Sequence, residues 1–264
     1  MSFSEHSLTL FGLTLGLIAL PSCALLETLP TENLEYVDAI PDVPQTSAKG
    51  LNFGDGQQFC GPASAANALS WLVGEPDKAR VTMLKLASND YMNTSLKNGT
   101  GLDGFIFGVD RFARENFRAY KRLQRRGWRH LSDGYERFDS DKLISVDWLA
   151  AGVSNRSAVW LNIGWYVHTE EEDRYRRIGG HWVTLVGYDF NRDSQFVIHD
   201  PSPRAGSGLK NHKITVSPIA TGGLTGDKKS MPGTAVGLLK IDEGILMKPG
   251  ADTAIIDAAV RLDL

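Results

Sequence analysis

Three residues far apart in the chain, Cys60, His181 and Asp200, have the types and settings that nucleophilic acyl transfer requires. A thiol nucleophile needs an imidazole to take its proton and later return one to the leaving group, and the imidazole needs an acceptor that fixes its tautomer. Cys60 is the candidate nucleophile, His181 the general base and Asp200 the group that orients the base. Cys60 lies in Gln57-Gln58-Phe59-Cys60-Gly61-Pro62-Ala63-Ser64, followed at helical spacing by Ala66, Leu69 and Leu72/Val73, with Gly74 as a stop signal. Pro62 suits a first helical turn, where the amide it lacks would have no intrahelical partner. Cys60 is therefore expected at a helix start, where unpaired amides and the positive end of the dipole favour thiolate over thiol. A buried structural cysteine is the blander alternative, and a disulfide with Cys23 is another. The tight-turn residues Gly61 and Pro62 favour the helix start.

The elements that must hold His181 and Asp200 read as strands. Ala158 to Trp165 and Gly180 to Asp189 are apolar runs of strand type, and Gln195 to His199 is a third. The turn Asn191-Arg192-Asp193-Ser194 joins the last two as an antiparallel hairpin, bringing His181 and Asp200 to one end of the sheet. A symmetric register sets Asp200 opposite Leu185 rather than His181. Contact then requires the strands to coil or Asp200 to turn back in a loop. Of the other histidines, His6 lies in the N-terminal signal segment, and His130, His168, His199 and His212 lack a Gly-Gly-His-strand setting.

The blocks QQFCGPASAANAL, GGHWVTLVGYD and HDPSP resemble the three catalytic blocks of papain-like cysteine peptidases, most closely the branch related to bacteriocin-leader peptidases, over roughly residues 51 to 205. The resemblance implies an α+β fold in two parts, a helical half whose central helix carries Cys60 and an antiparallel sheet half, meeting at a cleft. It also implies the roles of Cys60, His181 and Asp200 given above. The pattern departs at the glutamine that completes the oxyanion hole, whose place six residues before the cysteine is taken here by Gly54. Gln57 is the chosen replacement, because it leaves more chain than Gln58 to swing a side-chain amide over the sulfur, and Asn52 is the outside candidate. The activity implied is cleavage of a peptide or related amide through an acyl-enzyme. An acyltransferase or transglutaminase-like enzyme, or a catalytically silent envelope protein that keeps the fold, are the rival readings.

The remaining sequence bounds the setting. A net charge of −3 gives no global pull toward nucleic acid or an anionic surface, and no cofactor or metal is expected, because neither a phosphate-cradling loop nor a ligand cluster is evident. The apolar run Leu8 to Leu20 is short for a membrane span and fits the core of a secretory signal. Leu20-Pro21-Ser22-Cys23 resembles a bacterial lipobox, which implies a lipid on Cys23 and a membrane-anchored lipoprotein of the cell envelope. Residues 1–23 are thus expected as a signal, 24–50 as an extended linker or surface strap, 51–246 as the hydrolase domain and 247–264 as a C-terminal tail, in a monomer. Within that tail Ala251 to Leu264 reads as a helix with Ile255, Ala259 and Leu262 inward. The basic and aromatic segment 111–130 reads as a helix with Phe112, Tyr120 and Leu123 toward the core and its arginines either simply solvated or docking an anionic substrate or envelope polymer. Tyr166 to Ile178, with its acidic cluster, reads as a loop bordering the cleft.

Overall fold

The computed structural model describes residues 36–49, 54–189, 192, 194–205, 212–226 and 233–264. The signal and lipidation segment with Cys23, Asn52, and Asn191 and Asp193 of the expected turn lie outside them.

Helix α1 (Cys60–Leu72) starts at the cysteine, and Gly61 to Ser70 are all buried. A helix buried on every side belongs to the middle of a core. Its small residues make this possible: Ala63, Ala65, Ala66 and Ala68 have no exposed surface, so neighbouring backbones can approach closely. Helices α2 (Ala79–Ala87) and α3 (Leu102–Asn116) pack beside it.

The sheet is built from β1 (Arg122–Gly127), β2 (Ser157–Thr169), β3 (Arg174–Tyr188), β4 (Gln195–His199), β5 (His212–Pro218), β6 (Gly223–Thr225), β7 (Gly233–Thr234), β8 (Leu239–Glu243) and β9 (Thr253–Asp263), with the short helix α4 (Val146–Ala150) ahead of β2. Strand β2 pairs with both β3 and β9, which closes the antiparallel path β3-β4-β5-β8-β9 into a barrel-like ring. Strand β1 is attached outside the ring to β9, and β6 lies parallel to the start of β3. A mixed arrangement of helices and antiparallel sheet was expected; ring closure was not.

Alternation along the central strands gives the sheet two buried faces. Leu161, Ile163, Val183, Leu185, Ile198 and Ile214 form the core of the ring. Trp160 and Trp182 face the helices, where Phe105 of α3 stacks on Trp182 with ring centroids 3.8 Å apart. The helix carrying the cysteine thus packs on the strand carrying the histidine.

Four expectations are corrected. The C-terminal segment 251–264 forms strand β9, paired along one side with β2 and on the other with β1 and β8, so it is a central strand and not a helical tail. It is buried on both faces over Ala254 to Val260, which leaves no alternation to separate a strand from a buried helix. The basic segment is a helix only as far as Asn116 and then becomes β1; Phe112 and Leu123 are buried as expected, but Arg125 is also fully buried, paired with Asp139. Tyr166 to Ile178 is not a loop. Strands β2 and β3 continue as a ribbon and turn only at Glu170 to Asp173. That places the acidic cluster on the order of 30 Å along β3 from His181, at about 3.3 Å per residue, and away from the cleft. Finally, over residues 36–49 the strap reading holds and the extended linker does not, and the strap is not confined to the surface: Tyr36 bridges Gly187, the Val37 amide donates to Val186 O at 2.9 Å, and Val37 and Ile40 enter the core of the ring.

Candidate active site

Cys60 is the first residue of α1, behind an N-cap, Phe59, that contributes no side-chain hydrogen bond. The amides of the first turn therefore stay available to an anion. Cys60 is a free thiol and partly exposed. The helix is fixed to the sheet one turn below it. Ser64 Oγ donates to Trp182 O at 2.9 Å, while Ser64 O accepts from Trp160 Nε1 at 3.0 Å and from Thr184 Oγ1 at 2.8 Å. These three bonds join α1 to both β2 and β3, so the relative position of Cys60 and His181 is set by buried contacts and not by loops.

His181 lies in β3 directly after the Gly179-Gly180 pair and is 5% exposed. The meeting with Asp200 is achieved through register. Thr184 pairs with His199 and Leu185 with Ile198, but Gly187 pairs with Val197, leaving Val186 as a bulge. A bulge shifts all pairing beyond it by one residue. Asp200 follows His199, so the strand delivers it beside Val183: the turn already sets Phe196 against Tyr188, one residue short of the symmetric register, and the bulge supplies the second residue of the shift from Leu185. From there it turns back to His181, Nε2 to Oδ1 2.5 Å, while the same oxygen accepts the Ser202 amide at 2.9 Å. With Nε2 given to Asp200, Nδ1 is the ring nitrogen left for Cys60.

The electrostatics follow from this alignment. Burial pushes the Cys60 thiol up, but the hydrogen bond and charge of His181, helped by the backbone amides of Trp182 and Gly61, hold it below the ordinary thiol range. Burial pushes the His181 imidazole down. The charge and hydrogen bond of Asp200, with those of Cys60, outweigh this and raise it to about 10. Burial pushes Asp200 up, and His181, the Ser202 amide and the more distant His212 bring it below the usual carboxylate range. The shifts thus favour the thiolate–imidazolium pair over the neutral one, with a carboxylate behind it.

Other residues at the site gave no signal in the sequence. Trp165 stacks near the His181 ring, with centroids 6.1 Å apart, and is itself buried, so one flank of the imidazole is dry. Asn162 donates to His181 O at 3.4 Å from the neighbouring strand. Gln45 ties the site together from the N-terminal strap: its amide donates to Pro201 O at 2.9 Å, just past Asp200, and its Nε2 donates to Gln57 O at 2.7 Å, just before Cys60. The contact is close because residue 56 is glycine. Gly56 has φ +79°, and a Cβ there would stand 2.7 Å from Gln45 O.

Cys60, His181 and Asp200 are brought together. Gln57 is held by its backbone, through Gln45 and through its amide to Asp55 at 3.0 Å, while its side chain is exposed and has no hydrogen-bond partner among the described residues. Gln58 is half-buried, its Oε1 lying 3.5 Å from the point where a Cβ on Gly99 would be. Among the other histidines, His199 is fully buried and bonds Pro41 O at 3.2 Å, and His168 stacks on Tyr175; both are structural. Among the described residues there is no cluster of His, Cys, Asp and Glu able to hold a metal, and no helix long and apolar enough to cross a membrane.

No curated protein matches the chain. A family model does, over residues 37–217, which takes in the strap, the helix with Cys60 and the strands with His181 and Asp200. With more than two thirds of its length inside that match, the chain belongs to the Peptidase_C39 like family.

Proposed function

We propose that this protein is a papain-like cysteine peptidase that cleaves a peptide or related amide through an acyl-enzyme on Cys60. The observation that carries the reading is the alignment of a helix-start thiol, a buried imidazole and a buried carboxylate, with Nε2 of His181 on Asp200 at 2.5 Å. The thiolate attacks the scissile carbonyl carbon. His181 Nδ1 then gives its proton to the departing amine nitrogen as the C–N bond breaks, leaving a thioester on Cys60 and a neutral imidazole. Water attacks that thioester, His181 takes the proton from the water, and the carboxylic acid leaves as the thiolate is restored. Asp200 keeps the ring oriented and its positive form stable throughout. The oxyanion formed at each attack is met by the Cys60 backbone amide and by a side-chain amide, which we assign to Gln57.

The test is the rate at which iodoacetamide alkylates Cys60 as a function of pH. A paired thiolate reacts well below pH 8, whereas a silent buried thiol reacts slowly and only in alkali. An alkaline-only profile overturns the reading. We further propose that Cys23 is acylated and anchors the domain to the bacterial envelope. Mass spectrometry of the mature N-terminus decides this, and an unmodified terminus elsewhere ends it.

A further inference from the structure

The basic segment singled out in the sequence is only partly consumed by structure. Buried Arg125 pairs with Asp139 and Arg111 with Glu115, but four other cations, Arg114, Lys121, Arg122 and Arg137, line one cavity of about 300 Å³ where α3 runs into β1. Two carboxylates serve this group, and each is already shared. Asp110, 10% exposed in its side chain, is gripped by Arg114 at 2.9 Å, by Arg137 at 3.0 Å and by the Tyr120 hydroxyl. Asp263 is divided between Arg122 at 3.4 Å and Arg261 at 2.7 Å and also accepts Ser157 Oγ at 2.8 Å. Lys121 has no ion pair with any described residue. The surplus is positive in a chain whose net charge is −3. Arg126 next door registers it: burial lowers its pKa, and repulsion from Arg122 and Arg261 lowers it further.

The geometry also holds the charges toward solvent. One buried carboxylate brackets two guanidiniums whose side chains remain 58% and 61% exposed, so their remaining N–H donors face outward at reduced entropic cost. Such a bracket suits carboxylates or phosphates. Its place in the fold favours the former. The start of α3 adjoins the nucleophile, since Thr100 packs against Gly61 and its carbonyl accepts Trp182 Nε1 at 3.1 Å. Arg114 lies twelve residues beyond Leu102, about 18 Å at 1.5 Å per residue. An extended peptide covers that span in five or six residues at about 3.3 Å each.

We propose that this cavity is an exosite for an acidic stretch of the peptide substrate, lying at least five or six residues from the scissile bond. The assignment of substrate rests on the peptidase reading above. Its test does not require turnover: the full chain carrying Cys60→Ala is titrated with fluorescein-labelled hexaglutamate, and anisotropy is read at low salt and at about 0.3 M salt. The expected result is saturable binding that weakens with salt. Adding Lys121→Glu reverses one charge without breaking an ion pair and lowers affinity by about tenfold, while Lys121→Gln lowers it less. No saturable binding, or equal binding by Lys121→Glu, overturns the exosite. Binding of inorganic tripolyphosphate without hexaglutamate overturns its assignment to peptide. Because the nucleophile is absent from this assay, hexaglutamate binding alongside an unreactive Cys60 in the unsubstituted chain separates failure of the peptidase reading from failure of the exosite.

Discussion

Asp200→Asn isolates the charge behind the proposed ion pair. Both hydrogen bonds at Asp200, from His181 Nε2 at 2.5 Å and the Ser202 amide at 2.9 Å, fall on the same oxygen. An asparagine can present its carbonyl oxygen to both, so the geometry survives and only the charge is lost. A hydrogen bond to a charged partner is worth roughly 1.5–3 kcal/mol, which at 1.36 kcal/mol per unit is about one to two pH units. The sign is set by the shifts. The His181 pKa, raised to about 10, falls; with a weaker imidazolium beside it, the lowered Cys60 pKa rises. Below the thiol midpoint the thiolate fraction scales with that shift, so alkylation by iodoacetamide near pH 6 is expected to drop about ten- to a hundredfold, with the rate at pH 10 little changed. His181→Ala should shift the same profile further, since the partner itself is gone. Superimposable profiles for Asp200→Asn and the unsubstituted protein, at equal melting temperature, would refute the pairing.

Three other perturbations test the surroundings. Gln57→Ala is expected to lower kcat by about two orders of magnitude with KM nearly constant, as for a donor used only in the transition state; a near-normal Gln57→Ala beside a crippled Gln58→Ala would move that role to the half-buried neighbour. Gln45→Ala removes a buried bond to Gln57 O, so a loss of about 1 kcal/mol in chemical denaturation is expected, with a lower kcat from the loosened loop; unchanged turnover would make the strap purely structural. Gly164→Ala would put a Cβ 2.2 Å from Asp257 Oδ2 and disturb the buried Asp257–Arg177 pair, Nε to Oδ2 2.7 Å; the melting temperature should fall by several degrees, about 2 kcal/mol or more, and a neutral result would show that β9 can yield there.

The parts of the site that were legible are those whose local chemistry differs from that of a core residue. A cysteine followed by Gly-Pro and then an alanine-rich run has one economical explanation, a helix start, and α1 begins there. A histidine after Gly-Gly at the head of an apolar run is equally conspicuous, and β3 carries it. What escaped were residues whose roles depend on long-range pairing. Gln45 is an ordinary glutamine until the strap lies between Pro201 and Gln57, 156 residues and 12 residues away in sequence. Trp165 is one of six tryptophans until the second strand of the ribbon brings His181 beneath it. No window of sequence contains either relation.

Strand β9 and the β3–β4 hairpin show two different causes of misreading. In β9 the apolar positions Ile255, Ala259 and Leu262 match a helical period, but so does any subset of a segment buried on both faces, and only its neighbours β1, β2 and β8 decide that it extends. In the hairpin the element types were right, but the register lies two residues from the symmetric one: the turn contributes one, setting Tyr188 against Phe196, and the unpaired Val186 the other. A bulge has no reliable signature in an apolar run such as Trp182-Val183-Thr184-Leu185-Val186. Yet it is the bulge, with Asp200 turning back past the strand end, that brings three distant residues into one candidate site: without it the carboxylate is carried one residue further from His181, about 3.3 Å along the strand. That distance is greater than the whole 2.5 Å contact on which the proposed imidazolium depends.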